Sequence, residues 1–280
     1  MKYNFSIAAI FKNETKYLDE WLEYHRIIGC EHFYLVNNSI EKDLEESTQL
    51  LIKQNNRNND ITWYNYQSDT PQMDSCKALV EQTRGQSKWV GFIDIDEFIF
   101  MPKFDNINKI LERYPEKEIA ALAVHWCIFG SSGKKQFSGL VVENFFQRAR
   151  LQYHRHYIMK LILQPEKTIT SGGSHWAIYK PGYYAVDELK RPMPDGTKAH
   201  KAWHVKRTTL KSIRINHYCV KSEQAYKEKV ARGFVDKRVH EIPPEKWKAY
   251  FQEMDRNEVR DDTMKRFIPE IKKRMLTCKD

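Results

Sequence analysis

The sequence predicts an α/β protein with a mostly parallel central sheet and helices on both faces. Through the first hundred residues, short apolar runs alternate with segments whose apolar positions recur at helical spacing, the pattern of repeated βα units. The run Lys88 to Asp94 has no polar alternation, as expected of a strand covered on both faces. The 280 residues, 41% hydrophobic and 13% aromatic, suffice for one large core.

Phe5 to Phe11 reads as the first strand. From Thr15, the positions Tyr17, Leu18, Trp21, Leu22, Tyr24, His25 and Ile28 form one helical face that ends at Gly29, a C-cap residue. His32 to Val36 is the second strand, Asn37-Asn38-Ser39 a turn, Asp43 to Gln54 a helix, and Ile61 to Tyr64 the third strand. Met73 to Arg84 forms another helix before the buried strand. A loop through Pro102, a helix over Asn106 to Tyr114 and a strand over Ile119 to Trp126 follow. Further strands are expected at Leu140 to Asn144, Ile158 to Leu163, His175 to Lys180 and Ser212 to Val220, with an irregular insertion at Pro181 to Lys201. Glu223 to Arg232 and Thr263 to Met275 read as helices. The division expected is a main domain over 1–235, its nucleotide-binding half about 1–100 and its acceptor-side half about 101–235, then a basic helical extension over 236–280.

The formal charge of +9 favours anionic partners without choosing among them. Basic residues crowd the C-terminal third, so peripheral contact with an anionic membrane surface is one expectation. No run is long and apolar enough to span a bilayer and no cleavable leader is seen, so a cytoplasmic protein is expected. The five cysteines are scattered, without a C-x-x-C pair, and are expected to be reduced. His154-Arg155-His156 and His200-x-x-x-His204 lack the companion spacing of zinc sites and read as surface histidines. Phosphate-loop, serine-hydrolase and dinucleotide motifs are missing.

The chemistry concentrates in Phe92-Ile93-Asp94-Ile95-Asp96-Glu97-Phe98. On a continuing strand, Asp94 and Asp96 point the same way and offer two hard oxygen donors to Mn²⁺ or Mg²⁺. They lie at a carboxyl strand end, where open α/β sheets bind ligands. The bland alternative is a solvated acidic turn.

These residues belong to an ordered series: Phe11-Lys12-Asn13-Glu14, Leu18 to His25, His32 to Ser39, Trp89 to Phe98, Phe129-Gly130-Ser131-Ser132-Gly133, and Ile215-Asn216-His217-Tyr218 with Lys221, Lys229 and Arg232. In these blocks, covering most of residues 5 to 235, the chain resembles glycosyltransferase family 92 and its bacterial family-2-like relatives. The resemblance implies a GT-A fold and an inverting, metal-dependent transfer of a hexose. The donor implied is a nucleotide sugar, a UDP-sugar such as UDP-galactose or UDP-glucose, and the acceptor a glycan or glycolipid. It places Asn13, Glu14 and Asn38 around the nucleoside, and Asp94 and Asp96 on diphosphate and ribose through the metal. The family turn Asp-Asn-x-Ser is here Asn37-Asn38-Ser39, without the acidic residue.

His217 is the expected third metal ligand. Lys221, Lys229 and Arg232 are candidates for neutralising the leaving diphosphate. For the base that activates the acceptor, Glu143 stands first, with Asp195 and Glu97 behind it. Trp126 and Phe129, with the turn Gly130, Ser131 and Ser132, are placed on the acceptor side. A metal-dependent nucleotidyltransferase or nuclease, and a non-catalytic basic docking module, are the competing readings; no nucleic-acid partner is expected.

Overall fold

The computed structural model describes residues 1–39, 42–56, 58–66, 71–196, 208–233 and 243–277. The chain opens with β1 (Tyr3–Phe11), α1 (Thr15–Ile27), β2 (His32–Asn37), α2 (Lys42–Asn55), β3 (Ile61–Asn65), α3 (Pro71–Thr83) and β4 (Ser87–Phe92). β1 lies between β2 and β4, parallel to both, and β3 extends the parallel set beyond β2. Every residue of β1 from Phe5 to Phe11 is buried, as a strand with helices on both faces must be.

The second half adds β5 (Glu97–Phe100), α4 (Asn108–Leu111), β6 (Ile119–Ile128), α5 (Val141–Asn144), β7 (Gln147–Arg148), β8 (Met159–Leu163), β9 (Thr168–Ser171), β10 (Ala177–Tyr179), β11 (Tyr184–Val186) and β12 (Pro192–Met193). β13 (Arg214–His217), α6 (Glu223–Arg232), α7 (Pro244–Met254), β14 (Val259–Arg260) and α8 (Ile268–Thr277) follow. The main sheet runs β12-β11-β6-β8-β4-β1-β2-β3. β8 is antiparallel to both β4 and β6. The far end of β6 leaves this sheet to pair in parallel with β13, which pairs antiparallel with β5. The site forms where these two leaves part.

Several elements differ from the sequence expectation. Leu140 to Asn144 is a helical turn because the Glu20 carboxylate accepts the Val141 and Val142 N–H groups at 2.6 and 2.9 Å, satisfying donors that a helix start leaves open. The loop expected after Asp96 is β5. The helix expected over Asn106 to Tyr114 is one turn, started by Asn106 Oδ1 on the Asn108 N–H at 2.9 Å. In the insertion, β11 and β12 complete the sheet edge. The C-terminal helix begins only at Ile268, after a 3₁₀ turn over Thr263–Phe267, since Pro269 suits a first helical turn and no later one.

Residues 243–277 are not an outer layer. Met254, Met264, Phe267 and Ile271 enter the same core cluster as Trp21 and Phe98. β14 pairs with β7, and Asp261 holds Arg148 and Arg214 at 2.7 and 2.8 Å. Several basic residues of this third are thereby committed: Arg266 faces Asp105, Lys272 faces Glu143 and Arg274 faces Glu270. Among the described residues no helix is long and apolar enough to cross a membrane.

Candidate active site

A cleft of about 320 Å³ opens at the carboxyl ends of β1 and β4. The segment after β1 supplies its rim through Lys12 and Glu14, the segment after β4 supplies Asp94 and Asp96, and β13 brings His217. Trp126 of β6 and Tyr250 of α7 close the far side, while Lys229 and Arg232 descend from α6.

Asp94 and Asp96 are not in line on a strand. β4 ends at Phe92, and the chain turns so that the Glu97 N–H reaches the Asp94 carbonyl at 3.1 Å. The Glu97 carboxylate accepts the Asp94 N–H at 2.8 Å, and Trp21 Nε1 donates to the carbonyls of both Asp94 and Glu97. Helix α1 therefore clamps the turn, and both aspartates still face the cleft.

Beneath them lies Lys160 of β8, buried, with its ammonium 2.7 Å from Asp94 Oδ2, 3.2 Å from Glu97 Oε2 and 2.7 Å from Ser174 Oγ. Burial disfavours its charge, but Asp94 and Glu97 outweigh this and raise its pKa. Glu97 itself is buried, and its pKa is raised in spite of Lys160. Lysine in a strand without exposed residues demands a carboxylate partner. That rule applied to Ile158 to Leu163 was the signal that the sequence reading passed over.

Asp96 Oδ2 accepts from Lys229 at 2.6 Å, and its Oδ1 is 3.5 Å from His217 Nε2. Burial pushes the Asp96 carboxyl up, yet Lys229 and then His217 hold it well below the usual range. Burial outweighs Asp96 at His217 and lowers the pKa of that imidazole, with Nδ1 buried and without a hydrogen-bond partner. Trp126 packs on His217 with centroids 4.3 Å apart and on His175 at 5.5 Å. His175 also lines the cleft, its Nδ1 2.7 Å from the Met159 carbonyl, and burial lowers its pKa to about 3. It lies in the loop before β10, not in the expected strand. Glu14 holds Arg232 at 2.6 Å, and Arg232 also donates to the Asn13 carbonyl at 3.1 Å.

The model of glycosyltransferase family 92 matches residues 2–258. The chain belongs to this family. A family 92 protein of Ricinus communis is 25% identical over 269 residues, 94% of this chain and 47% of that one. Another, of Oryza sativa subsp. japonica, is 27% identical over 133 residues, 47% of this chain and 22% of that one. The chain thus spans about half the length of the former and less of the latter. Among solved structures, S. aureus TarS 1-349 overlaps 90% of this chain and 70% of its own at 12% identity and a TM-score of 0.42. The same fragment in complex with UDP-GlcNAc covers 48% of this chain and 37% of its own at 18% identity and a TM-score of 0.33. At those scores the likeness transfers no site residue. The parallel β3-β2-β1-β4 set, with antiparallel β8 between β4 and β6, is the GT-A arrangement that membership of family 92 implies.

Within this family 92 chain, Glu14, Asp94, Asp96, Trp126, His217, Lys229 and Arg232 come together at the cleft. Other candidates are placed elsewhere. Asn13 stands behind the rim with φ at 51°, its N–H on Ser39 Oγ, and Asn38 is buried with its N–H on the Phe11 carbonyl. Lys221 is buried under the Tyr17 ring at 4.4 Å, its pKa lowered to about 8 by burial despite Asp96. The turn Gly130, Ser131 and Ser132 is fastened to the segment after α7: the Ser131 N–H reaches Asp255 Oδ1 at 2.6 Å and the Ser132 N–H reaches Asn257 Oδ1 at 2.8 Å. Phe129 is a core residue. Glu143 sits on α5 and pairs with Lys272 of α8 at 2.8 Å, outside the cleft lining. Asp195 is exposed beyond β12 and is also outside it.

Of the histidines expected at the surface, His154 is exposed and His156 is not. His156 is buried and accepts the Ile128 N–H at 3.0 Å on Nε2, while His154 meets Glu253. His200 and His204 lie outside the described residues, as does Cys278; the other four cysteines are free and buried. Lys12, Gln72, His175 and Tyr250 line the cleft without having been singled out, since no local pattern marks single residues from distant segments.

Proposed function

We propose that the cleft binds a nucleotide-diphosphate sugar, a UDP-hexose such as UDP-galactose or UDP-glucose, and that the protein transfers the hexose with inversion to a hydroxyl of a glycan or glycolipid. The observation that carries this reading is the convergence of Asp94, Asp96 and His217 with Lys12, Lys229 and Arg232 at the carboxyl ends of parallel strands. Carboxylates suited to a hard cation and side chains suited to phosphate share one space.

The donor set fits Mn²⁺ or Mg²⁺. Asp96 Oδ1 and His217 Nε2 are 3.5 Å apart, close to the roughly 3 Å between adjacent ligands of one such ion. Among the described residues no three His, Cys, Asp or Glu side chains form a closed metal cage. Such ions usually complete their shell with water and substrate phosphate oxygens. Asp96 and His217 would hold the cation, with Asp94 beside them, and it would neutralise charge developing on the leaving diphosphate.

The remaining work falls to the chain itself. Lys229 and Arg232 offer fixed positive charge to the diphosphate, and Glu14 holds Arg232 in place. The three carboxylates lining the cleft, Glu14, Asp94 and Asp96, each have a cationic partner. Trp126 offers a flat surface beside the reacting end.

Isothermal titration with UDP, with and without Mn²⁺, and a thermal-shift panel of UDP-sugars test this reading. Metal-dependent binding and hexose transfer are expected in the wild type, and Asp96→Asn should lose both. If no UDP-sugar binds with Mn²⁺ or Mg²⁺ present, the reading is abandoned.

A further inference from the structure

Strands β5 and β13 pair antiparallel with Glu97 directly opposite His217. Residues so placed put their side chains on one face of a sheet, within reach of each other. Both side chains are buried, Glu97 with 0% and His217 with 6% exposed. The two Glu97 oxygens are used unequally. Oε2 takes the Asp94 N–H at 2.8 Å and the Lys160 ammonium at 3.2 Å. Among the described residues Oε1 has no hydrogen-bond partner, and neither has His217 Nδ1, 3.9 Å away from it. The other nitrogen of that ring, Nε2, lies 3.5 Å from Asp96 Oδ1.

We propose that Glu97 is a positioning residue for the cation site: its Oε1 accepts the Nδ1 hydrogen of His217 and so presents the Nε2 lone pair to the divalent cation. This rests on the cleft being the donor site.

The argument is one of hydrogen placement. An imidazole that binds a metal through Nε2 carries its hydrogen on Nδ1, and metal-binding histidines usually pass that hydrogen to a carboxylate or a carbonyl. Glu97 Oε1 is the acceptor that the strand register sets opposite. The separation exceeds a hydrogen bond by about 1 Å, which side-chain rotation closes without moving either strand. A divalent cation beside the pair also favours Glu97 as the carboxylate. Glu97 is not part of the cleft lining, so it acts through His217 and not as the base of an acceptor hydroxyl.

Glu97→Gln turns this arrangement round. Lys160 and the Asp94 N–H both need an oxygen, so the amide nitrogen falls at the Oε1 position and donates to Nδ1. The His217 hydrogen then sits on Nε2, where the cation should bind.

Mn²⁺ is titrated by calorimetry, at saturating UDP, into wild type, Glu97→Gln, His217→Ala and the double variant. Glu97→Gln should weaken Mn²⁺ binding by about 10- to 100-fold. In the His217→Ala background the same change should cost less than about twofold, because the residue it acts through is gone. Wild-type Mn²⁺ affinity in Glu97→Gln overturns the proposal. So does an equal cost in both backgrounds, which marks a purely structural role. Wild type alone gives an independent reading by nuclear magnetic resonance with isotope-labelled histidine, Mg²⁺ and UDP. The His217 Nδ1 hydrogen should resonate downfield, as one held by a carboxylate does; an unshifted resonance overturns the proposal even if Glu97→Gln fails to fold. If UDP and Mn²⁺ bind the wild type in any of these cases, the donor-site reading survives; if neither binds, both fall.

Discussion

Glu20 is a carboxylate that the fold removes from water and then uses as an anchor. It lies on α1, 4% exposed, and accepts hydrogen bonds from the two N–H groups that open α5. Burial pushes its pKa up to about 7, against the lowering effect of those N–H groups. Because the folded-state value lies above the ordinary value of 4.5, the folded state holds the extra proton between about pH 4.5 and 7, and Glu20 costs stability as pH rises through that window. Glu20→Gln keeps an acceptor and removes the titration. Thermal melts from pH 5 to 8 should show wild type losing stability relative to Glu20→Gln, by up to about 3 kcal/mol. Parallel melting curves across that range would show that Glu20 does not titrate there. At this scale the sequence was partly legible. Asp94, Asp96 and His217 were read because acid pairs and a histidine after an apolar strand carry their own chemistry. Lys160 and His175 were not, because their roles come from partners on other elements.

At the scale of elements, the turn after β6 shows how a ligand-like motif can serve packing. Gly130 to Ser132 has the donor-rich composition of an anion loop, yet its Ser131 and Ser132 N–H groups are spent on Asp255 and Asn257. A Cβ on Gly130 would lie 2.5 Å from the Arg256 carbonyl oxygen, a backbone atom that cannot swing away. Gly130→Ala should therefore destabilise the protein by about 1–3 kcal/mol in urea unfolding. Its affinity for UDP with Mn²⁺ should stay within about twofold of wild type, since a 0.5 kcal/mol change is about that factor. A large loss of affinity at unchanged stability would return the turn to the site. The parallel β1 to β4 half was legible because each strand is a long apolar run and each helix a clear stripe. β5 was hidden because its four residues open on Glu97 and their partner, β13, is over a hundred residues away. α5 was misread as a strand because its helical start depends on Glu20.

For the whole molecule, composition suggested a boundary near residue 235, but the pattern of α8 cannot say what its apolar stripe covers. It packs on the main core, where Met254 and Ile271 are 0% exposed. A chain ended at residue 242 loses α7, β14 and α8 together. Each large apolar side chain so removed takes about 1.5–3 kcal/mol of burial with it. Asp261 goes as well, stranding Arg214, whose side chain is 7% exposed and whose charge is held by that carboxylate. Breaking such a buried pair costs about 3–5 kcal/mol. Together these are as large as the roughly 5–15 kcal/mol that holds most domains folded. The full chain should melt in one calorimetric transition, and the fragment ending at 242 should show none, with near-UV circular dichroism lost. A fragment that melts cooperatively with native-like near-UV signal would make the last 38 residues the separable extension that composition suggested, and would remove them from the account of how β13 and His217 are held at the cleft.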